Sequence, residues 1–103
     1  MILVNIDYIP GKEFDVISVV KGSTIRSTNL FKDFGAFVKS GVGGEVKSYT
    51  KMMDEARQIA TKRMVDEAEA LGADAVVNIR YATSSIMEGA SEMMVYGTAV
   101  KIR

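Results

Sequence analysis

The stretch Glu45-Val-Lys-Ser-Tyr-Thr-Lys-Met-Met-Asp-Glu-Ala-Arg-Gln-Ile-Ala-Thr-Lys-Arg-Met-Val-Asp-Glu-Ala-Glu-Ala-Leu71 decides the fold. No proline or glycine interrupts it. Tyr49, Met53, Ala56, Ala60, Met64, Ala68 and Leu71 recur at helical spacing, and Met52 and Ile59 run beside them. This pattern predicts one long amphipathic helix with a wide apolar face. Gly72 follows where a left-handed glycine closes a helix.

The flanking segments read as strands. Downstream, Ala73 to Thr83 predicts a strand around Ala75-Val-Val-Asn-Ile79, and Met93 to Ile102 predicts another. Between them Ser84 to Ser91, with Gly89, predicts a hairpin loop of moderate length, so these strands are antiparallel. Upstream, Phe14 to Val20 is rich in β-branched residues, and Ser23 to Ser27 continues it past Gly22 through a bend or bulge. Pro10-Gly11 marks a turn before that strand. Asn29 to Ser40 carries Leu30, Phe31, Phe34, Phe37 and Val38 at three- and four-residue spacing, which predicts a short helix. Val42-Gly43-Gly44 reads as a tight turn leading to the long helix. The fold class is therefore α+β: a two-layer sandwich of one long helix across an antiparallel sheet.

Composition narrows function mostly by exclusion. A chain of 103 residues is one domain, residues 1–103. Its 48% hydrophobic and 25% charged residues are those of an ordinary globular protein. Thirteen basic residues balance thirteen acidic ones, which argues against nucleic acid or a membrane surface as partner. With no cysteine and no histidine, there is no disulfide, no thiolate or imidazole metal site, and no histidine base. Gly-x-Ser-x-Gly is also missing, so the reading leans away from an enzyme. The amino terminus lacks the features of a signal peptide, and no apolar run is long enough to span a bilayer; the expected location is cytoplasmic.

Two physical arguments predict self-association. About 26 helical residues span roughly 40 Å, whereas a compact domain of this length is about 33 Å across. The strands also look apolar on both faces. Met94, Tyr96, Val100 and Ile102 point one way, and Met93, Val95 and Ala99 the other. Phe14, Val16 and Val20 oppose Ile17 and Val19 in the same manner. One helix layer covers one face, and another copy of the chain is the simplest cover for the second. The alternative within the chain is the short helix Leu30 to Val38.

Several groups of residues could carry a site. Asp66 and Glu69 share a helix face and, repeated by symmetry, could hold a hard cation; the competing reading is a solvated face paired with Lys62 and Arg63. The methionines Met52, Met53, Met64, Met87, Met93 and Met94 are the remaining soft donors, and packing accounts for them as well. Val42-Gly43-Gly44 before a helix resembles an anion-binding turn, but Glu45 in the first turn would repel a phosphate. Glu45, Tyr49 and Arg57 lie along one helix, while Asn78 and Arg80 share a strand face by period-two alternation. Together these five residues read either as a polar ligand pocket at a subunit boundary or as an ion-pair network between subunits.

Taken in order, Asn29-Leu-Phe-Lys-Asp33, Val42-Gly-Gly44, Tyr49, Ala56-Arg57, Ala60, Leu71-Gly-Ala-Asp-Ala-Val76 and Gly97-Thr-Ala-Val100 resemble the YbjQ family, over nearly the whole chain. The resemblance implies a β-α-β-β dodecin-like fold assembling as a pentamer, sometimes stacked as a decamer. It also brings the label "putative heavy-metal-binding". Soft metals favour thiolate and imidazole, so a metal cofactor finds no support from cysteine or histidine here. The reading is a non-enzymatic homo-oligomer that binds a small ligand or ion between subunits, its partner being itself. The alternative is a metal-handling protein with carboxylate or thioether ligands.

Overall fold

The structure is a computed structural model that describes residues 1–27 and 42–103, with side chains for 1–27 and 49–103. Its elements are β1 (Ile2–Leu3), β2 (Phe14–Ser27), α1 (Val42–Ala70), β3 (Ala75–Met87) and β4 (Ala90–Ile102). The expected short helix at Asn29 to Ser40 lies outside the described residues. The sheet runs in the order β1-β3-β4-β2. β4 pairs antiparallel with β2 and β3, whereas β1 pairs parallel with β3 at Ile2–Ala75 and Leu3–Val76. The expected antiparallel three-stranded sheet is thus present, and the short run at Ile2 adds a parallel edge that makes it mixed.

α1 forms as read, and its boundaries extend to Val42 and Ala70. Gly43 and Gly44 stand in its first turn rather than in a turn before it. At the other end Gly72 has φ +80°. The Ala73 amide donates to the Ala68 carbonyl at 3.1 Å and the Gly72 amide to the Glu69 carbonyl at 3.0 Å. That pair of bonds is a Schellman cap, and it turns the chain directly into β3.

The core lies between α1 and the sheet. Ala56, Ala60, Met64 and Ala68 interlock with Val20, Val76, Ile79, Met93, Val95 and Ala99. Small residues along the helix let it approach β2 closely. A Cβ on Gly22 would stand 2.0 Å from the Ala60 carbonyl oxygen, so only glycine fits under the helix there. Tyr49 and Leu71, at the ends of the predicted stripe, are exposed, Leu71 in the turn just past the helix. The helix has 29 residues. At the usual rise it is about 43 Å long, and the molecule measures 56 × 22 × 17 Å. The radius of gyration is 17.1 Å. A compact chain of this length would have roughly 13 Å.

Two bulges correct the strand phases read from sequence. In β2 the register slips between Val16 and Ser18. Ile17 and Val20 therefore both pack toward α1, and Phe14, Val16 and Val19 lie on the opposite face. In β3 the register slips between Val77 and Arg80, and Asn78 takes φ +56°. Asparagine tolerates this left-handed conformation better than most residues. The amides freed from the ladder find other partners: Asn78 donates to the Ile6 carbonyl at 2.9 Å and Ile79 to the Val4 carbonyl at 3.2 Å.

The amino-terminal segment also covers part of the sheet's second face. Ile9, with Val4, packs on Ala75, Val77, Val100, Phe14 and Ile102. Beyond this patch the face is open: Val19 is 68% exposed and Ile25 62%. The expected loop from Ser84 to Ser91 is instead strand on both sides of a tight turn at Glu88-Gly89, with Gly89 at φ +79°. Gly89 and the small polar residues there suggest a loop, but an exposed strand accepts serine readily.

Candidate functional site

The five residues read as one pocket are dispersed by the fold. Glu45 is in the first turn of α1, its side chain outside the described residues. Tyr49 is exposed one turn further on. Arg57 is half-buried and bonds the Asp54 carboxylate. The Asn78 bulge breaks the alternation that was to align it with Arg80. Arg80 pairs across the ladder with Tyr96, on the face away from α1, while Tyr81 pairs with Val95 on the helix side.

Arg57 instead lies beside Tyr81. Thr61 Oγ1 donates to the Arg57 carbonyl at 2.6 Å and is 2.9 Å from the Tyr81 hydroxyl, which is then free to donate to it. Asp54, Arg57, Gln58, Thr61, Lys62 and Tyr81 line an open hollow of about 620 Å³ between α1 and the β3 edge. A second hollow of about 480 Å³, bounded by Leu3, Val4, Asn5, Ile6, Ile79 and Tyr81, lies between the amino-terminal segment and the same edge. Tyr81 borders both. It is the residue that sequence reasoning missed; no local motif signals it, since its importance comes from which edge β3 occupies.

Arg80 is anchored by the amino-terminal segment. Its Nη1 donates to the Asn5 carbonyl at 2.8 Å and to the Ile79 carbonyl at 3.0 Å. Across the sheet, Lys21 and Arg80 flank Tyr96 in register.

Both metal candidates are exposed, and Asp66 is paired with a lysine. Asp66 accepts from Lys62 Nζ at 2.9 Å, and Glu69 is exposed near the end of α1. Among the described residues no group of three or more His, Cys, Asp or Glu could hold a metal ion. Met64 and Met93 are buried in the core and Met53 packs against it. In a chain with neither thiolate nor imidazole, thioethers are the soft donors left, and packing accounts for these three.

Carboxylates with depressed pKa cluster instead where the chain ends. Asp74 accepts the Ile102 amide at 2.9 Å and lies 3.3 Å from Lys101 Nζ. The amide foremost, then the ammonium, hold its pKa below the ordinary 3.8 despite some desolvation. Arg103 donates to Asp15 at 2.7 and 3.0 Å, which lowers the Asp15 pKa. These contacts fasten the terminal strand. No described helix is long and apolar enough to cross a membrane.

This geometry defines a class: a small α+β domain of one long helix on a four-stranded mixed sheet. The crystal structure of a protein of unknown function of the DUF74 family, from Pediococcus pentosaceus ATCC 25745, shares the fold, with a TM-score of 0.67 over 100% of this chain and 98% of that one at 16% identity. The chain belongs to the YbjQ family, whose model, described as "putative heavy-metal-binding", matches residues 1–103. A UPF0145 protein of Clostridium novyi is 68% identical over 99% of both chains. Another from Alkaliphilus metalliredigens is 61% identical over 98% of both, and one from Thermus thermophilus is 50% identical over 95% of this chain and 87% of its own.

Proposed function

We propose that the chain works as a non-enzymatic homo-oligomer, pentameric or decameric, that binds a small ligand or ion between subunits. One observation carries this reading: the outer half of β3, Tyr81 to Met87, is exposed throughout. Its outer edge has no neighbour among the described residues, since β1 pairs only with Ala75 and Val76. This is roughly 20 Å of open backbone. It is rich in β-branched and small polar residues, with no lysine or proline to blunt it. At the far side of the sheet, β2 presents a second open edge among the described residues.

β2 and β3 both run antiparallel to β4, so they run in the same direction. The β3 edge of one copy can thus pair with the β2 edge of the next and continue the sheet. Such a head-to-tail contact repeats and closes as a ring when the rotation permits. It would also bring the hollows beside Tyr81 to the seam between copies. The number five is what the family resemblance implies. Native mass spectrometry at micromolar concentration tests the reading: five or ten chains is the expected mass, and a monomer would overturn it.

The family's description favours a second reading, metal handling through carboxylates such as Asp66 and Glu69 or through thioethers repeated by symmetry. The same spectra recorded with Cu(I), Ni²⁺ and Zn²⁺ decide it. Uptake near one ion per chain supports metal handling, and an unchanged apo mass sinks it.

A further inference from the structure

The sheet face away from α1 carries a row of side chains that no sequence motif joins. Lys21 stands opposite Tyr96 in the β2–β4 ladder, and Arg80 stands opposite Tyr96 in the β3–β4 ladder. Directly opposed residues project to the same side, so the three form one line across the sheet. Lys21 and Arg80 are exposed, and Tyr96 is 40% exposed.

The bulges create this row. In a strictly alternating β3, Val76 facing α1 would carry Arg80 to the helix side as well. The extra residue at Asn78 reverses the phase, so Ile79 enters the helix-side core and Arg80 turns outward. In β2, Val16 lies on the open face opposite Val100, and unbroken alternation would point Lys21 at the helix. The slip before Ser18 turns it outward too. The β3 bulge is held by a left-handed Asn78, the one non-glycine with positive φ among the described residues, and by Gly97 beneath it. A Cβ on Gly97 would lie 2.9 Å from the Val77 carbonyl oxygen and 3.2 Å from Ile79 Cγ1. Bulges that re-aim a side chain are typical neighbours of functional sites.

The row is electropositive and uncompensated. Lys21 has no carboxylate partner among the described residues. Arg80 is oriented through Nη1, which leaves Nε and Nη2 without a protein acceptor there. The adjoining rows, Val19–Thr98–Val77 and Ser23–Met94–Ala82, carry no charge. The nearest carboxylate in register on this face is Glu92, two rows away.

We propose that Lys21, Tyr96 and Arg80 bind a small multivalent oxyanion, a diphosphate or a polycarboxylate. Two strand spacings, roughly 10 Å of backbone, separate the two cations, so the ligand carries more than one negative group. The guanidinium fork engages one group through its free donors, the ammonium engages another, and the Tyr96 hydroxyl donates between them. The row is complete within one chain, so binding does not depend on the assembly proposed above.

Titration of the full chain with pyrophosphate, and separately with citrate, followed by backbone amide NMR at low salt, tests this. Sodium chloride at matched ionic strength is the control. Saturable shifts along Lys21, Arg80 and Tyr96 are expected with at least one of the two anions. Lys21→Gln and Arg80→Gln should each weaken binding by about tenfold or more, as for a charge-assisted contact. Tyr96→Phe should have a smaller effect, and Lys51→Gln on the helix none. Lys21→Gln removes an exposed side chain and keeps the test decisive should Arg80→Gln loosen the amino-terminal segment. Shifts no larger than those of chloride, or affinity unchanged in Lys21→Gln, would overturn the proposal. Native masses of the same samples report assembly separately.

Discussion

Gly22 lies directly beneath Ala60: a Cβ on the glycine would fall 2.0 Å from the Ala60 carbonyl oxygen and 2.4 Å from the Met64 amide nitrogen. The obstacle is helix backbone, which cannot rotate aside. Gly22→Ala must therefore lift α1 off β2 and should destabilise by about 3 kcal/mol or more, beyond the usual range for overpacking. Gly72→Ala meets open space, but its φ of +80° is strained for alanine. Its cost should be only about 1–2 kcal/mol. Urea denaturation of both variants checks the order, and equal losses would show that helix and sheet are less closely seated.

Met64 is fully buried at the centre of the α1 face, among alanines that cannot fill the space it leaves. Met64→Ala should cost about 2–5 kcal/mol by lost transfer and cavity formation. A loss below about 1 kcal/mol in urea melts, the size of a surface change, would contradict a core role and reopen the thioether as a ligand.

Asp74 ties the start of β3 to the last strand, and its pKa is depressed first by the Ile102 amide and then by Lys101. A lowered folded-state value means that the unfolded chain takes up the proton first as pH falls. The stabilisation is therefore fully present above the ordinary 3.8 and is lost as pH drops through the lower folded value. Asp74→Asn should be less stable than the parent at about pH 6, and the gap should shrink below about pH 3.8. A gap that is independent of pH in urea melts would show that the charge is not what matters.

Ile86 lies on the exposed outer half of β3, 46% accessible. A lysine on a free strand edge opposes edge-to-edge pairing. Ile86→Lys should shift the assembly toward monomer in native mass spectra while leaving the far-ultraviolet circular dichroism of the chain unchanged. An undisturbed oligomer would place the subunit contact elsewhere.

Sequence periodicity specified α1, its glycine cap and the existence of three long strands, because helices and strand faces follow from local spacing. It also signalled incomplete burial, in a helix longer than any compact domain of this size. It assigned the two faces of β4 correctly, with Met93, Val95 and Ala99 toward the helix. What it could not supply was phase in β2 and β3. Each bulge inserts one residue and flips every side chain after it. Arg80 thereby leaves Arg57 for Tyr96 and Lys21, and Tyr81 becomes the residue beside Thr61. A bulge is fixed by partners far along the chain, here Gly97 and the carbonyls of Val4 and Ile6, so its position is legible only once those strands meet.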